Sequence, residues 1–450
     1  MLVMKFGGSV MRTPKDVQSV VEFLEFNGQG NVVVVSAIKG ITDLLLDMAH
    51  SASKGDEKGL KSKLSRLKEI HQEVLELLDL GGVIEEDLNL LERVLTGIFY
   101  LGELSPKSKD FVASFGERLI GKIVSKELRR RGLNARFLMG GEAGIVTDDR
   151  FGDANPLYRA SEVYIRNRIE ALLPETLPII AGFTGETQDG RITTLGRGGS
   201  DLTATLIGAA LKADEVVLWA DVDGLLSVSP KVVERPKVLR TVSYREAIEL
   251  SFFGAKGMHP KFLEPAMRRE VPVRIRNFWN MEDPGTLISK EEEVKEGVVK
   301  AVGLRDGVSI ITVRGVGMVG RPGTAGRLFT VLGEHDVNVL MISQSVSESS
   351  ISFVVDGKDS SRASNVLEDI LLGPIFSEVI VEDGLSVVAA IGAGMRGTPG
   401  VAARVFRAVA DRGINVKMIS QGSSEINISF VVDGKDGVEA ARAIYEEFKL

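Results

Sequence analysis

Short apolar runs alternate with stretches of helical periodicity along the first 289 residues of the chain. The runs predict strands at Leu2–Phe6, Asn31–Ser36, Ala135–Met139, Pro178–Gly182, Glu215–Ala220 and Val273–Asn277. Several are unbroken, such as VVVVS and VVLWA, as expected of strands covered on both faces. Strands that alternate with helical segments argue for βαβ units and a mainly parallel sheet. Between Thr42 and Arg131 the pattern is largely helical, and the charged stretch KGDEKGLKSKLSRLKE (54–69) within it reads as a solvated helix face or loop.

The C-terminal third carries an internal repeat. Val308–Asp359 aligns without a gap to Leu385–Asp436, at an offset of 77 residues (Gln421 against Gln344). GMVGRPGTAGRLF (317–329) answers GMRGTPGVAARVF (394–406), and MISQSVSESSISFVVDGKD (341–359) answers MISQGSSEINISFVVDGKD (418–436). Each copy reads as strand, Gly/Pro turn, helix, strand, turn, strand and a further helix (Ser361–Leu371 and Gly437–Phe448). Two copies are too few for a solenoid, so they read as paired small α+β modules. Lys290–Lys300 is the predicted hinge between the two halves.

Composition narrows the partners. A chain of 450 residues suggests about three domains. Its formal net charge of −7 gives no pull towards nucleic acid or an anionic membrane. No apolar run approaches membrane-spanning length. The absence of cysteine excludes disulfides and thiolate chemistry and fits a reducing compartment. The four histidines, at 50, 71, 259 and 335, lack ligand spacing, so no protein-held metal site is expected. MLVMKFGGSV at the start reads as a strand entering a glycine turn rather than a secretory leader. The expected location is the cytoplasm.

Candidate chemistry lies on glycine-rich turns at predicted strand ends. Gly196–Leu211, GRGGSDLTATLIGAAL, sets Arg197, Gly199, Ser200 and Asp201 in a turn that runs into an apolar helix. Such a turn with a helix N-terminus behind it attracts anions; a capped glycine turn is the plainer reading. Lys5-Phe6-Gly7-Gly8-Ser9 follows the first strand and offers amides and a lysine to a phosphate. It is neither a GxxxxGK[ST] loop nor a GxGxxG fingerprint. Ser36 and Thr42 flank the next turn, as caps or as ligand hydroxyls. Glu117 in SFGERLIGKIV is a first-turn acid. Asp221 and Asp223, after the strand Glu215–Ala220, suit either Mg²⁺ or an Asx-turn. Lys256 in FFGAKGMHP suits either phosphates or solvent. Taken together, these turns fit phosphoryl transfer, which asks for positioning and charge neutralisation more than for a covalent catalyst.

KFGGS, SAIKGITDLL, FGERL, GFTGETQDGRITTLGRGGSD, DVDG and FGAKGMHP stand in the order and spacing of one family. Over essentially its whole length the sequence resembles the aspartate kinases of the amino-acid kinase superfamily. The repeated half resembles their paired regulatory ACT domains. The resemblance implies an α/β chain: a mainly parallel-sheet sandwich of the amino-acid kinase fold over 1–290, then two α+β ferredoxin-like ACT domains. One ACT domain would span 308–383. The other would combine 296–307 with 384–450, because one unit is inserted in the other.

The implied reaction is ATP-dependent phosphorylation of the L-aspartate side chain to 4-phospho-L-aspartate, first step towards lysine, threonine and methionine. ATP and Mg²⁺ are the implied cofactors. By motif, Lys5, Gly7, Gly8 and Ser9 would cradle ATP phosphates, with Lys5 and Asp201 the catalytic pair. Ser36, Thr42, Glu117, Arg197, Gly199 and Ser200 would hold aspartate, Glu117 its ammonium and Arg197 a carboxylate. Asp221, Lys231 and Lys256 would meet the nucleotide. The sequence departs from the family at Ala220, Leu226 and Ser229-Pro230-Lys231, positions that bear on adenine and ribose contacts. Both repeats carry Ile-Ser-Gln, so Gln344 and Gln421 are the implied effector residues. That loop resembles threonine-responsive members more than lysine-responsive ones. A homodimer or homotetramer is expected, and a chain ending at Leu450 is expected to carry no fused homoserine dehydrogenase. The competing readings are a non-catalytic amino-acid sensor and a kinase for another small carboxylate.

Overall fold

In the computed structural model, which describes residues 1–173, 175–254, 259–291, 297–371, 373 and 375–450, each of the six strands expected from an apolar run is present. The first part of the chain runs β1 (Leu2–Phe6), α1 (Pro14–Asn27), β2 (Val32–Val35), α2 (Ile41–Ser53), α3 (Glu57–Leu77), α4 (Glu85–Leu101), α5 (Pro106–Ala113) and α6 (Phe115–Arg130). It continues through β3 (Ala135–Leu138), β4 (Val146–Thr147), α7 (Tyr158–Ile169), β5 (Leu177–Ala181), β6 (Thr184–Thr187), β7 (Ile192–Thr194), α8 (Gly199–Leu211) and β8 (Glu215–Ala220).

Two compact units result. The first comprises Met1–Leu225, Arg240–Tyr244 and Lys256–Glu291. The second comprises Leu226–Leu239, Arg245–Ala255 and Glu292–Leu450. The hinge expected at 290–300 falls partly outside the described residues. Two segments that precede residue 290 belong to the second unit, because Val228 and Val232 are buried there among Val299, Val388, Phe430 and Val432.

An eight-stranded sheet forms the first unit, in the order Thr241–Ser243, Thr286–Ser289, Val273–Asn277, β8, β1, β2, β5, β3. Neighbours pair in parallel except Val273–Asn277 against Thr286–Ser289. Because β1 pairs on both sides, Phe6 lies level with Val35 and Trp219. The C-terminal ends of β1, β2 and β8 therefore open onto one edge of the sheet, where open α/β sheets place ligands. All four residues of VVVV in β2 are buried, as its unbroken run requires. Beside β1, the rings of Phe6, Phe23, Trp219 and Phe278 meet, mostly edge to face, with Phe23 and Trp219 centroids 5.2 Å apart. Thr13 caps α1 in a reciprocal box with Asp16, and Pro14 occupies the first turn. The charged stretch 54–69 falls mostly in α3, which buries only Leu67, His71, Val74 and Leu75. A small sheet, β4-β6-β7, completes the unit.

In the second unit the sequence repeat becomes a pseudo-twofold. One six-stranded antiparallel sheet has the order Val339–Gln344, Ser350–Asp356, Ala301–Arg314, Glu378–Ile391, Asn427–Asp433, Met418–Gln421. Register repeats with sequence: Val308 opposes Asp356 and Leu385 opposes Asp433. The copies also exchange the same bond in both directions. Ser309 donates to Asp383 at 2.5 Å, and Ser386 donates to Asp306 at 2.7 Å. Residues 301–306 pair with 386–391, next to the strand Asn427–Asp433 of the second copy. Among the described residues no helix is long and apolar enough to cross a membrane.

Lys300 and Glu246 are 3% and 1% exposed, with Nζ and Oε2 3.4 Å apart, and Glu246 also accepts a 2.7 Å bond from the Ala393 amide. Removing the ammonium would take a counter-charge from a buried carboxylate. Lys300→Met should therefore destabilise the second unit by about 3 kcal/mol or more, read as a lowered calorimetric transition. Lys300→Met with Glu246→Gln should recover most of that loss.

Candidate functional site

The ends of β1 and β2 and the N-terminal ends of α2, α6 and α8 surround a cleft of about 410 Å³ within the first unit. Lys5, Gly8, Ser9, Ser36, Thr42, Glu117, Gly199, Ser200 and Asp201 all line it. Nine of the expected residues, drawn from four separate motifs, thus share one cavity. Lys5 Nζ and Asp201 Oδ1 stand 2.6 Å apart, with side chains 14% and 12% exposed. The pair ties the end of β1 to the first turn of α8.

The flanking glycines make room for this arrangement. Gly7 is not a lining residue but lies under the lysine: a Cβ there would stand 2.7 Å from Lys5 Nζ. Gly198, at φ +71°, takes the left-handed conformation that starts α8 and aims its free amides at the cavity. In the first turn of α8 the helix dipole also favours the Asp201 carboxylate.

Glu117 is 3% exposed. Its Oε1 accepts a 3.0 Å bond from the Ala37 amide, and its Oε2 has no hydrogen-bond partner among the described residues. Burial pushes its pKa up to about 8, against the opposing effect of the Ala37 amide. An acid held this way accepts a cation readily, because the ion pair restores the charge that burial disfavours. A first-turn acid stabilised by its helix dipole alone would not need to be buried.

Other expected residues lie elsewhere. Arg197 is exposed and is not among the residues that line the cleft. Its charge reaches His259, whose pKa is lowered first by burial and then by Lys261, with Arg197 a lesser contributor. Asp221 follows β8 and is half-buried. Asp223 accepts bonds from Asn277 at 2.8 Å and Asn280 at 3.2 Å, which commits one of its oxygens to holding the turn after β8. Lys231 is exposed and belongs to the second unit. Lys256 lies outside the described residues.

Gln344 and Gln421 end equivalent strands of the second unit, both exposed. Gln421 lines a pocket of about 270 Å³ with the turn Gly397–Gly400 and Glu425. Glu425 accepts from the Gly397 amide at 2.8 Å, and Glu348 repeats that bond with Gly320.

Ala37, Lys39, Asp43 and Phe183 line the cleft and were not singled out from sequence. Phe183 sits at φ +64°, a conformation that costs a bulky residue about 1–3 kcal/mol and persists mainly at functional sites. Its amide donates to Thr203 Oγ1 at 3.1 Å. An isolated phenylalanine beside a glycine carries no signal of that strain.

Comparison with known proteins shows the family of the chain. The amino acid kinase family profile matches residues 1–277, and an ACT domain profile matches 311–371 and 388–448. The chloroplastic bifunctional aspartokinase/homoserine dehydrogenase 2 of Arabidopsis thaliana is 34% identical, over 100% of this chain and 50% of its own length. The chain thus spans about half the length of that relative. Chloroplastic aspartokinase 1 of the same plant is 32% identical, over 99% of this chain and 80% of its own. E. coli aspartokinase III superposes with TM-score 0.85 in complex with aspartate and ADP, at 30% identity and full coverage of both chains. Its complex with lysine and aspartate gives 0.80, at 31% identity, covering 100% of this chain and 99% of that one. The chain belongs to the amino acid kinase family, among the aspartokinases that carry a C-terminal pair of ACT domains.

Proposed function

We propose that the chain transfers the γ-phosphoryl group of ATP to the side-chain carboxylate of L-aspartate, giving 4-phospho-L-aspartate and ADP. The observation that carries this reading is the 2.6 Å Lys5–Asp201 pair sharing one cleft with the buried carboxylate of Glu117. A side-chain oxygen of aspartate attacks the γ-phosphorus. The bond to the β,γ-bridging oxygen breaks, and its electron pair leaves on ADP. The acceptor is already ionised at neutral pH, so no general base is needed. Lys5 offsets charge on the transferring group, and Asp201 fixes the ammonium in position.

In this reading Glu117 takes the substrate ammonium and Arg197, from the rim, pairs with the α-carboxylate through its planar fork. Ser36, Thr42, Gly199 and Ser200 complete the aspartate pocket. Gly7, Gly8 and Ser9 cradle the phosphates, and Asp221 meets the nucleotide. No group of three metal-ligating side chains stands together among the described residues. Magnesium would therefore arrive on the nucleotide phosphates, the usual mode for this ion. The paired ACT units bind threonine as inhibitor at Gln344 and Gln421, in a homodimer or homotetramer. The cysteine-free composition suits a reducing compartment, the cytoplasm in this reading.

Coupled ADP release with Mg-ATP should depend on L-aspartate. Turnover with glutamate or acetylglutamate instead would reassign the acceptor, and threonine binding without turnover would make the chain a sensor. Arg197→Lys should raise KM for aspartate about tenfold and leave KM for ATP nearly unchanged.

Glu117 gives a signature in pH. The unfolded chain loses this proton near the ordinary glutamate value of 4.5, whereas the fold keeps it to about 8. Stability of the free protein from this group is therefore full below 4.5, declines as pH rises, and is lost beyond about 8. Aspartate affinity should move the opposite way, rising about tenfold per pH unit below 8, because the ammonium must displace the proton. Glu117→Gln should flatten both profiles, as measured by thermal melts and aspartate titrations.

Threonine should inhibit wild-type turnover, and Gln344→Ala should weaken inhibition while sparing uninhibited turnover. Inhibition by lysine alone would contradict the threonine assignment.

A further inference from the structure

We propose that Lys39 binds the γ-phosphate of the nucleotide and supplies the second positive charge of the cleft. The proposal rests on the phosphoryl-transfer reading above and assigns a contact to the lysine of SAIKGITDLL, to which the family resemblance gave no role.

Lys39 lies on the loop between β2 and α2 and lines the cleft. Its backbone is held against the glycine turn that follows β1. The Lys39 amide donates to Met11 O at 3.1 Å, and a Cβ on Gly8 would stand 3.5 Å from Lys39 Cα. The residue is therefore anchored beside the turn proposed to hold phosphate.

Charge balance gives the second argument. Among the described residues, five titratable side chains line the cavity: Lys5, Lys39, Asp43, Glu117 and Asp201. Lys5 is already countered by Asp201 at 2.6 Å. Glu117 holds its proton to about 8 through burial and carries little charge below that. Asp43 sits in the first turn of α2, where the helix dipole stabilises it. Arg197 is not a lining residue. Among the described lining residues, the Lys39 ammonium is thus the cation that no described carboxylate neutralises. Two anions must meet in this cavity, a terminal phosphate and an acceptor carboxylate. The other cation among the described lining residues, Lys5, is already paired, so an unpaired ammonium favours their approach. A lysine is suited to the phosphate, which it meets as a point charge from any direction.

The test is an equilibrium titration of wild type, Lys39→Ala and Lys39→Arg with Mg-ATP and with Mg-ADP, in the absence of aspartate. Lys39→Ala should weaken ATP binding about tenfold or more, change ADP binding less than twofold, and leave the melting temperature unchanged. Lys39→Arg should restore most of the ATP affinity. With aspartate present, the Lys39→Ala defect should appear in KM for ATP and not in KM for aspartate. Equal losses for ATP and ADP, no loss for ATP, or a rise confined to KM for aspartate would overturn the proposal. The titration needs no turnover. A wild type that binds ATP but phosphorylates no aspartate would refute the proposed reaction, while its ATP/ADP ratio still decides Lys39. A wild type that binds neither nucleotide would refute both.

Discussion

A lysine at the end of the first strand and an aspartate in the first turn of a helix nearly two hundred residues later meet at 2.6 Å, largely out of water. Much of the first unit serves that meeting. The strand β1 must be central, paired by β2 and β8, for Lys5 to emerge at the sheet edge where the neighbouring strands also end. A side chain on Gly7 would crowd the ammonium and push it from this position. Gly198 must adopt a left-handed backbone for α8 to start where Asp201 can reach. Each of these is a local choice in sequence, and each agrees with the others, which is the condition for a fold that specifies one site.

The pair also sets the electrostatic character of the cavity. Paired, Lys5 and Asp201 contribute a fixed dipole rather than a net charge, and Glu117 is kept largely neutral by burial. A site prepared in this way does little reorganising when charge moves along the reaction coordinate, the main contribution a protein makes to phosphoryl transfer. Two cations flank it, Lys39 lining the cleft and Arg197 exposed outside the lining.

Much of this was legible in the chain, for identifiable reasons. Unbroken apolar runs such as VVVVS mark buried parallel strands with little ambiguity, and their bounds differ from the structure by a residue at most. The repeat of 77 residues announced two paired α+β modules, and it reappears in the sheet as the reciprocal Ser309–Asp383 and Ser386–Asp306 bonds. Glycine turns announced the cleft because only glycine admits such close approach. Residues that act through tertiary placement were not legible. Lys39 and Asp43 look like any loop lysine and first-turn acid, and Phe183 gives no hint of its positive φ. Arg197, read from its motif as a cleft residue, lies exposed beyond the lining. The short segments around Val228 and Glu246 join the second unit through long-range packing that no local pattern encodes.

The claim at the centre of this account is that Lys5 and Asp201 act as one unit. A double-mutant cycle on kcat for aspartate phosphorylation, with Lys5→Met, Asp201→Asn and both together, tests it directly. If the pair acts as a unit, each single substitution lowers kcat by about a hundredfold or more, and the double variant is no slower than the worse single. Losses that multiply in the double variant would show two independent contributions and contradict the account.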